Sequence, residues 1–369
     1  MLKVFCSPSR YVQGIDAMHR LADEMIRIGH RGHALIIAGP HARRLVEPIV
    51  AASFGAKGMS YAFTDFGGEC SAVEITRCGA EGARIEAKII IGIGGGKALD
   101  TARAVASDLA LPVVCCPTVA ASDAPCSALS VIYSSEGVFE QVRFYRRNPD
   151  LILVDTGIIA RAPVRFLISG MGDALATWFE ADAAQRACRL NAVGGFSTLA
   201  AMAIARTCYE TLLRDGRAAA AAVREGVVTP AVERIIEANT LLSGLGFESG
   251  GLAAAHSVHN GLTAMPVTRA YLHGEKVAFG TLVQMVLEGR PTSEINEVMA
   301  FCASVGLPLT LAQLGIEKLS ADEAKQIAER AIAPGETAHN LPFELTWTAV
   351  RDALIAADAL GRSFLAERG

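Results

Sequence analysis

Three of the eight histidines stand close together, in Ala255-His256-Ser257-Val258-His259-Asn260-Gly261 and Leu272-His273-Gly274-Glu275-Lys276. Neutral imidazoles are common ligands for zinc and ferrous ions. His256 and His259 are spaced i and i+3, neighbours on one helix face. Spacing alone does not choose between a metal centre and histidines satisfied inside a core, and it names no carboxylate partner. Asp173, in Gly170-Met171-Gly172-Asp173-Ala174-Leu175-Ala176, is one candidate, and it reads equally well as a helix N-cap. No HExxH occurs, which sets zincin chemistry aside.

A second signal is Ile91-Gly92-Ile93-Gly94-Gly95-Gly96-Lys97-Ala98-Leu99-Asp100, which follows an apolar run and opens a helical pattern. Glycines there let the backbone approach a pyrophosphate, and a helix N-terminus offers N–H groups and the positive end of its dipole. The run is neither the Rossmann GxGxxG nor a Walker A loop. The alternative is a tight glycine turn, although three consecutive glycines cost conformational entropy unless something must come close. A third segment, Pro117-Thr118-Val119-Ala120-Ala121-Ser122-Asp123-Ala124-Pro125-Cys126-Ser127, follows another apolar run. Its short polar side chains suit a dinucleotide or a polyol at a strand's C-terminal end, and they suit ordinary caps and turns as well.

The elements that must position these residues fall into two halves. Strands are expected at Ala34–Ala38, Lys88–Ile93, Pro112–Cys116 and Leu151–Asp155, whose continuous apolar character fits parallel strands covered on both faces. A helix is expected over Gly95–Leu109, and a hairpin at Ala128–Tyr133 and Gln141–Tyr145 around Ser134-Ser135-Glu136-Gly137. This is the βαβ rhythm of a doubly wound sheet. After about Pro163 helical patterns take over: Asp173–Arg189, Gly195–Arg214, Ala218–Gly226, Pro230–Leu245, Gly251–Thr263, Gly274–Gly289, Thr292–Val305, Ala321–Ala333 and Thr348–Glu367. The expected organisation is an α/β, Rossmann-like domain over 1–162, which carries the dinucleotide-binding candidates, and an all-α domain over 163–369, which carries the metal-binding candidates. The two are expected to pack directly and leave a cleft.

Composition narrows the function classes. At roughly 150 residues per domain, 369 residues imply two or three domains. Hydrophobic residues make up 51% and charged residues 20%, enough to bury a large core. A net charge of −4 with no Lys/Arg block argues against nucleic acid as a partner. No run of about 18 apolar residues suggests a membrane span. The N-terminus, Met1-Leu2-Lys3-Val4-Phe5-Cys6-Ser7-Pro8, does not read as a signal peptide. Nine cysteines without a CxxC pair suit a reduced, cytoplasmic compartment. The apolar surplus points to subunit contacts and hence to a homo-oligomer.

Taken together the segments are recognisable. The chain resembles, essentially end to end, the bacterial glycerol dehydrogenases of the iron-containing (group III metal-dependent) alcohol dehydrogenase superfamily. The resemblance rests on Phe66-Gly67-Gly68-Glu69-Cys70-Ser71, Gly94-Gly95-Gly96-Lys97, Asp123-Ala124-Pro125-Cys126-Ser127-Ala128-Leu129-Ser130-Val131-Ile132-Tyr133, Gly170 to Trp178, Gly246 to His256, and Tyr271-Leu272-His273-Gly274-Glu275-Lys276-Val277-Ala278. It implies a dehydroquinate synthase-like fold and reversible, NAD-linked oxidation of glycerol to dihydroxyacetone. It also implies zinc, with ferrous ion as the other candidate, in the interdomain cleft, and an octamer. By motif, the metal ligands would be Asp173, His256 and His273. Gly94, Gly95, Gly96 and Lys97 would meet the pyrophosphate, with Asp100 in the same motif. Thr118, Ser122, Ser127, Leu129 and Tyr133 would line the rest of the NAD site. Asp123 would hydrogen-bond the polyol and take part in catalysis, Phe247 would contact the substrate, and His259 would stand near the metal and carry a proton. The metal would draw the C2 hydroxyl toward the alkoxide that yields hydride to the nicotinamide.

One position departs from the family. Where the first-strand motif typically ends Gly-Asp, with the carboxylate facing the adenosine ribose, this chain has Gly39-Pro40 followed by His41, Arg43 and Arg44. Weaker discrimination against NADP is the expected consequence. Three rivals share parts of the pattern. A dehydroquinate-synthase-like lyase would need several basic residues near the metal, where the histidine stretch offers only Arg269 and Lys276. A non-catalytic NAD-binding sensor would have an eroded metal triad. A dehydrogenase of another vicinal diol or a 2-hydroxy acid is the closest alternative.

Overall fold

Apolar and β-branched runs become strands wherever helices cover both faces. The computed structural model describes residues 1–368. In it, β1 (Tyr11–Gly14), β2 (Ala34–Ala38), β3 (Tyr61–Asp65), β4 (Ile89–Gly94), β5 (Val113–Pro117) and β8 (Leu151–Asp155) form a parallel sheet in the order β1-β8-β5-β4-β2-β3. β6 (Leu129–Tyr133) and β7 (Phe139–Phe144) make the expected antiparallel hairpin. The four strands read from apolar runs are the buried interior strands. The two that were not expected, β1 and β3, are the sheet's edges. There only partial burial is required, and Gln13 and Asp65 interrupt the apolar character. Ile36, Ile91, Val114, Cys116 and Leu153 pack with Met18, Leu21 and Phe54 into one core.

The chain leaves β2 toward β3 on one side and β4 toward β5 on the other. That reversal opens a crevice beyond the C-terminal strand ends, where such sheets bind ligands. Register sets Gly94 of β4 beside Pro117 of β5, and the Thr118 N–H donates to the Gly94 carbonyl at 3.0 Å. The glycine run and the Thr118–Ser127 segment are therefore neighbours in space.

The remaining helices follow the sequence pattern with three differences. The helix carrying Asp173 spans Val164–Arg186, so Asp173 lies mid-helix and is not an N-cap. Leu167, Ile168 and Met171 extend its buried face upstream. The patterns at Gly195–Arg214 and Ala218–Gly226 form one helix, Leu199–Arg224. The pattern expected as one helix over Pro230–Leu245 is Pro230–Glu237, a π-helical turn at Ala238–Leu242, and Ser243–Gly250. Ala254–Leu262, His273–Leu287, Thr292–Val305, Ala321–Ala331 and Trp347–Ala366 complete the set. No helix among the described residues is long and apolar enough to cross a membrane.

Two compact units result, and they differ from a single cut at 162. The α/β unit is Cys6–Pro163 together with Ala222–Gly244, and the helical unit is Met1–Phe5, Val164–Ala221 and the chain from Leu245. Side-chain bonds that no local pattern reveals explain the exchange. Gln13 Nε2 donates to the Glu233 carbonyl at 2.8 Å, and Thr156 Oγ1 donates to Glu233 Oε1 at 2.7 Å. At the N-terminus, the Val4 and Phe196 N–H groups donate to the Phe196 and Leu2 carbonyls.

Asp100, grouped with the cofactor motif in the sequence, turns inward on the helix Gly96–Asp108. It pairs with buried Arg103 and accepts the Val131 N–H at 3.1 Å. Arg103, 2% exposed, also donates to the Ala124 and Pro125 carbonyls. Breaking a buried pair strands a charge, so Asp100→Ala should lower stability by about 3–5 kcal/mol. Urea denaturation followed by circular dichroism measures this, and an unchanged midpoint would contradict it.

Candidate metal centre and dinucleotide site

Three helices bring one carboxylate and two imidazoles together. Asp173 sits mid-way along Val164–Arg186, His256 on Ala254–Leu262, and His273 opens His273–Leu287. The last helix starts directly on the first. A Cβ at Gly274 would lie 1.8 Å from the Ser169 carbonyl oxygen, so no larger residue fits. The Gly274 N–H donates to Ser169 Oγ at 3.2 Å. Glu275 accepts the Leu272 N–H at 2.7 Å and pairs with Arg165, also at 2.7 Å, which holds this helix start.

The resulting geometry is tight. Asp173 Oδ1 stands 3.1 Å from His273 Nε2 and 3.3 Å from His256 Nε2, and one ligand atom from each residue lies within 4.8 Å of the others. Asp173 is fully buried. Burial would push its pKa up, but the His273 and His256 imidazoles hold it far below the usual carboxylate range. The two rings thus favour its ionised form.

The far side of each ring is also held. Glu180, seven residues after Asp173 and on the same helix face, meets His256 Nδ1 at 2.6 Å through Oε2. Its Oε1 accepts the N–H groups of Ala253 and His256, each at 3.0 Å. Burial opposes charge on His256, yet Glu180 and Asp173 together raise its pKa well above the ordinary value. His273 Nδ1 is 3.1 Å from His259 Nε2, and His259 Nδ1 is 3.1 Å from Asn260 Oδ1. Burial, followed by the charges of His273, Lys276 and His256, lowers the His259 pKa well below normal. One oxygen and two Nε2 atoms aimed at a common point, each ring fixed from behind, are a donor set that fits zinc or ferrous ion. Sequence reasoning missed Glu180, although its i+7 spacing from Asp173 was a signal.

The dinucleotide candidates sit in the α/β unit. Gly94 ends β4 at φ +154°, and Gly95 caps the helix Gly96–Asp108 with no side-chain hydrogen bond to its leading N–H groups. A Cβ at Gly95 or Gly96 would meet only ordinary contacts, at 3.6 and 3.7 Å, so packing does not require glycine at either position. Room beside free helix N–H groups is what a phosphate needs, and this fits the dinucleotide. Lys97 Nζ pairs with Glu69 at 2.5 Å and lies 5.2 Å from the Tyr133 ring centre. Thr118, Ser122, Leu129 and Tyr133 are half-buried along the same edge. Ser127 is fully buried, and its hydroxyl donates to the Ala124 carbonyl at 3.3 Å. Asp123 is buried, and its Oδ2 accepts from Ser243 Oγ at 2.8 Å. Phe247 is buried on Ser243–Gly250. Pro40 opens the helix Pro40–Gly55. Arg43 is engaged by Asp65 at 3.1 Å, by Glu47 at 3.2 Å and by the Phe63 ring, whereas His41 and Arg44 are exposed.

Comparison with known proteins agrees with this architecture. The model of the iron-containing alcohol dehydrogenase family matches residues 8–156. A glycerol dehydrogenase of Pseudomonas putida is 50% identical over 359 residues, 97% of this chain and 98% of that one. A glycolaldehyde reductase of Halobacterium salinarum is 47% identical, covering 98% of this chain and 99% of that one. The crystal structure of glycerol dehydrogenase from Schizosaccharomyces pombe superposes with a TM-score of 0.96 at 40% identity, covering 100% of this chain and 93% of that one.

The raised pKa of His256 means that a proton occupies the ring in the metal-free fold and must leave when a cation enters. Metal affinity should therefore rise as pH rises and fall on acidification. Chelator competition at several pH values, with proton release followed by calorimetry, measures this; a pH-independent affinity would contradict it. Glu180→Gln should weaken zinc binding about 10- to 100-fold in the same assay.

Proposed function

The chain belongs to the iron-containing alcohol dehydrogenase family, and from that premise we propose that it is an NAD-dependent glycerol dehydrogenase, forming dihydroxyacetone reversibly. The observation that carries the reading is the Asp173–His256–His273 set around a buried carboxylate, intact and held from behind by Glu180 and His259. Asp173, His256 and His273 would hold a divalent ion, zinc or ferrous. When bound, the ion supplies Lewis acidity that lowers the pKa of a substrate hydroxyl, and NAD supplies the hydride acceptor.

The protein's own groups do the rest. Asp173 remains ionised, and Glu180 keeps the His256 Nε2 lone pair directed at the ligand position. Asp123 would accept hydrogen bonds from neighbouring polyol hydroxyls, which favours vicinal diols over simple alcohols. Phe247 would bound the substrate. His259, held neutral by its surroundings, is assigned the proton; Asn260 orients its ring at 3.1 Å and is itself tied to Glu336 at 2.9 Å. Gly94, Gly95 and Gly96 with the first helix N–H groups, and Lys97 released from Glu69, would take the pyrophosphate. Thr118, Ser122, Leu129 and Tyr133 would line the remainder. Ser127 serves this site through the loop it closes. Asp100 serves it through Arg103.

A second reading has a specific basis. The relative named glycolaldehyde reductase is nearly as similar as the one named glycerol dehydrogenase, 47% against 50% identity. A two-carbon hydroxyaldehyde would use the same metal set and the same Asp123 hydrogen bond. We place the enzyme in the cytoplasm as a homo-oligomer, octameric by analogy with the family. Nine cysteines without a CxxC pair support the compartment.

A panel of glycerol, other vicinal diols, glycolaldehyde and 2-hydroxy acids, run with NAD and NADP on metal-quantified protein, tests the function. Glycerol with NAD should give the highest kcat/KM, and a preference for glycolaldehyde would select the second reading. Asp123→Asn should cost about 1–3 kcal/mol in kcat/KM for glycerol while leaving the KM for NAD nearly unchanged. Unaltered glycerol kinetics would remove Asp123 from the site. Pro40→Asp should lower kcat/KM for NADP more than for NAD, since a carboxylate repels the 2′-phosphate. Equal effects on the two cofactors would show that position 40 plays no part in the choice.

A further inference from the structure

The helical pattern after Thr229 contains a π turn at Ala238–Leu242, closed by the Ser243 N–H donating to the Ala238 carbonyl. Such a turn adds one residue to the helical repeat, so everything after it is rotated by about 100° relative to an unbroken α-helix. The turn is held at both ends within the α/β unit. Upstream, Glu233 receives Gln13 and Thr156. Within the turn, Thr240 Oγ1 donates to the Ile236 carbonyl at 2.7 Å and meets the Tyr11 hydroxyl at 2.9 Å.

Three residues in and just after the turn touch one loop. Asn239 Nδ2 donates to the Ala120 carbonyl at 3.0 Å, and Ser243 Oγ donates to Asp123 Oδ2 at 2.8 Å. A Cβ at Gly244 would come within 2.8 Å of Cys126 Cβ and 3.2 Å of the Asp123 carbonyl oxygen. Asn239 and Ser243 have no exposed surface. A serine buried against a carboxylate is not needed for solubility or for helix propensity. It fixes which way the carboxylate points.

We propose that the π turn and Ser243 are the positioning device for Asp123, and that Ser243 thereby sets the preference for a vicinal diol over a simple alcohol. Asn239 holds the start of the loop, Gly244 lets the helix approach its middle, and Ser243 anchors one carboxylate oxygen. The carboxylate is thereby held in one orientation toward the hydroxyl next to the one being oxidised. The inference rests on the reading that Asp123 meets the substrate. Ser243 is a positioning residue and touches neither substrate nor cofactor.

The test compares wild type, Ser243→Ala, Ser243→Thr, Asp123→Asn and Ser243→Ala/Asp123→Asn, all metal-quantified. Kinetics are measured with glycerol and with propan-2-ol, and NAD binding by equilibrium fluorescence. Ser243→Ala should raise the KM for glycerol about tenfold, the size of one hydrogen bond to a charged group. Kinetics with propan-2-ol, the NAD dissociation constant and the melting temperature should stay near wild type. Ser243→Thr, which keeps the hydroxyl, should restore part of the glycerol preference. In the Asp123→Asn background, Ser243→Ala should add nothing, because the two act as one unit. If Asp123→Asn lowers the glycerol preference and Ser243→Ala does not, the positioning role is wrong while the substrate reading stands. If Asp123→Asn leaves the preference intact, the substrate reading itself fails. Equal losses for Ser243→Ala with glycerol and propan-2-ol would show a merely structural hydroxyl.

Discussion

A carboxylate with no exposed surface must be answered by donors, and the helical unit is arranged around that demand at Asp173. Two imidazoles supply them at 3.1 and 3.3 Å. Each ring reaches Asp173 only because its helix comes close enough, and the approach at Gly274 leaves no room for a Cβ. The rings cannot turn away, because Glu180 and His259 occupy their other nitrogens. Substituting Glu180 or His259 changes the direction of a lone pair as well as a contact.

The α/β unit solves a different problem with the same economy. A parallel sheet ends its strands in unsatisfied polar groups, and β4 and β5 end side by side. The Thr118 N–H closes on the Gly94 carbonyl, while the Gly95 cap leaves the helix N–H groups without a side-chain partner. Next to this edge, Arg103 reaches up from the helix to the Ala124 and Pro125 carbonyls, and Asn239 of the π turn and Ser243 just after it reach the same loop at Ala120 and Asp123. The segment carrying Asp123 is thus tied at several points and is not left as a free loop.

What the sequence made legible follows from range. Continuous apolar runs name the four interior strands because burial on both faces is a local compositional demand. The edge strands β1 and β3 escape for lack of it. The glycine run and the histidine cluster stand out because their chemistry is costly without a use. The choice of His273 over His259 as a ligand came from family resemblance and not from spacing. The geometry is consistent with it, since His273 faces Asp173 and His259 stands behind it. Glu180, Ser243 and the inward turn of Asp100 depend on partners far along the chain, which periodicity cannot encode. The exchange of Met1–Phe5 and Ala222–Gly244 between units has the same origin.

Two buried aspartates show how the partner decides the role. Asp100 is paired with Arg103, whose guanidinium cannot give up its proton in a protein, so the pair is fixed and serves the architecture. Asp173 is paired with imidazoles, which can exchange a proton for a metal at Nε2 without moving. The first arrangement has one state. The second can take up either the proton or a cation at Nε2, while Glu180 and His259 hold the rings at their other nitrogens. Burial makes both aspartates expensive, and only the second converts that expense into a place where charge can be exchanged.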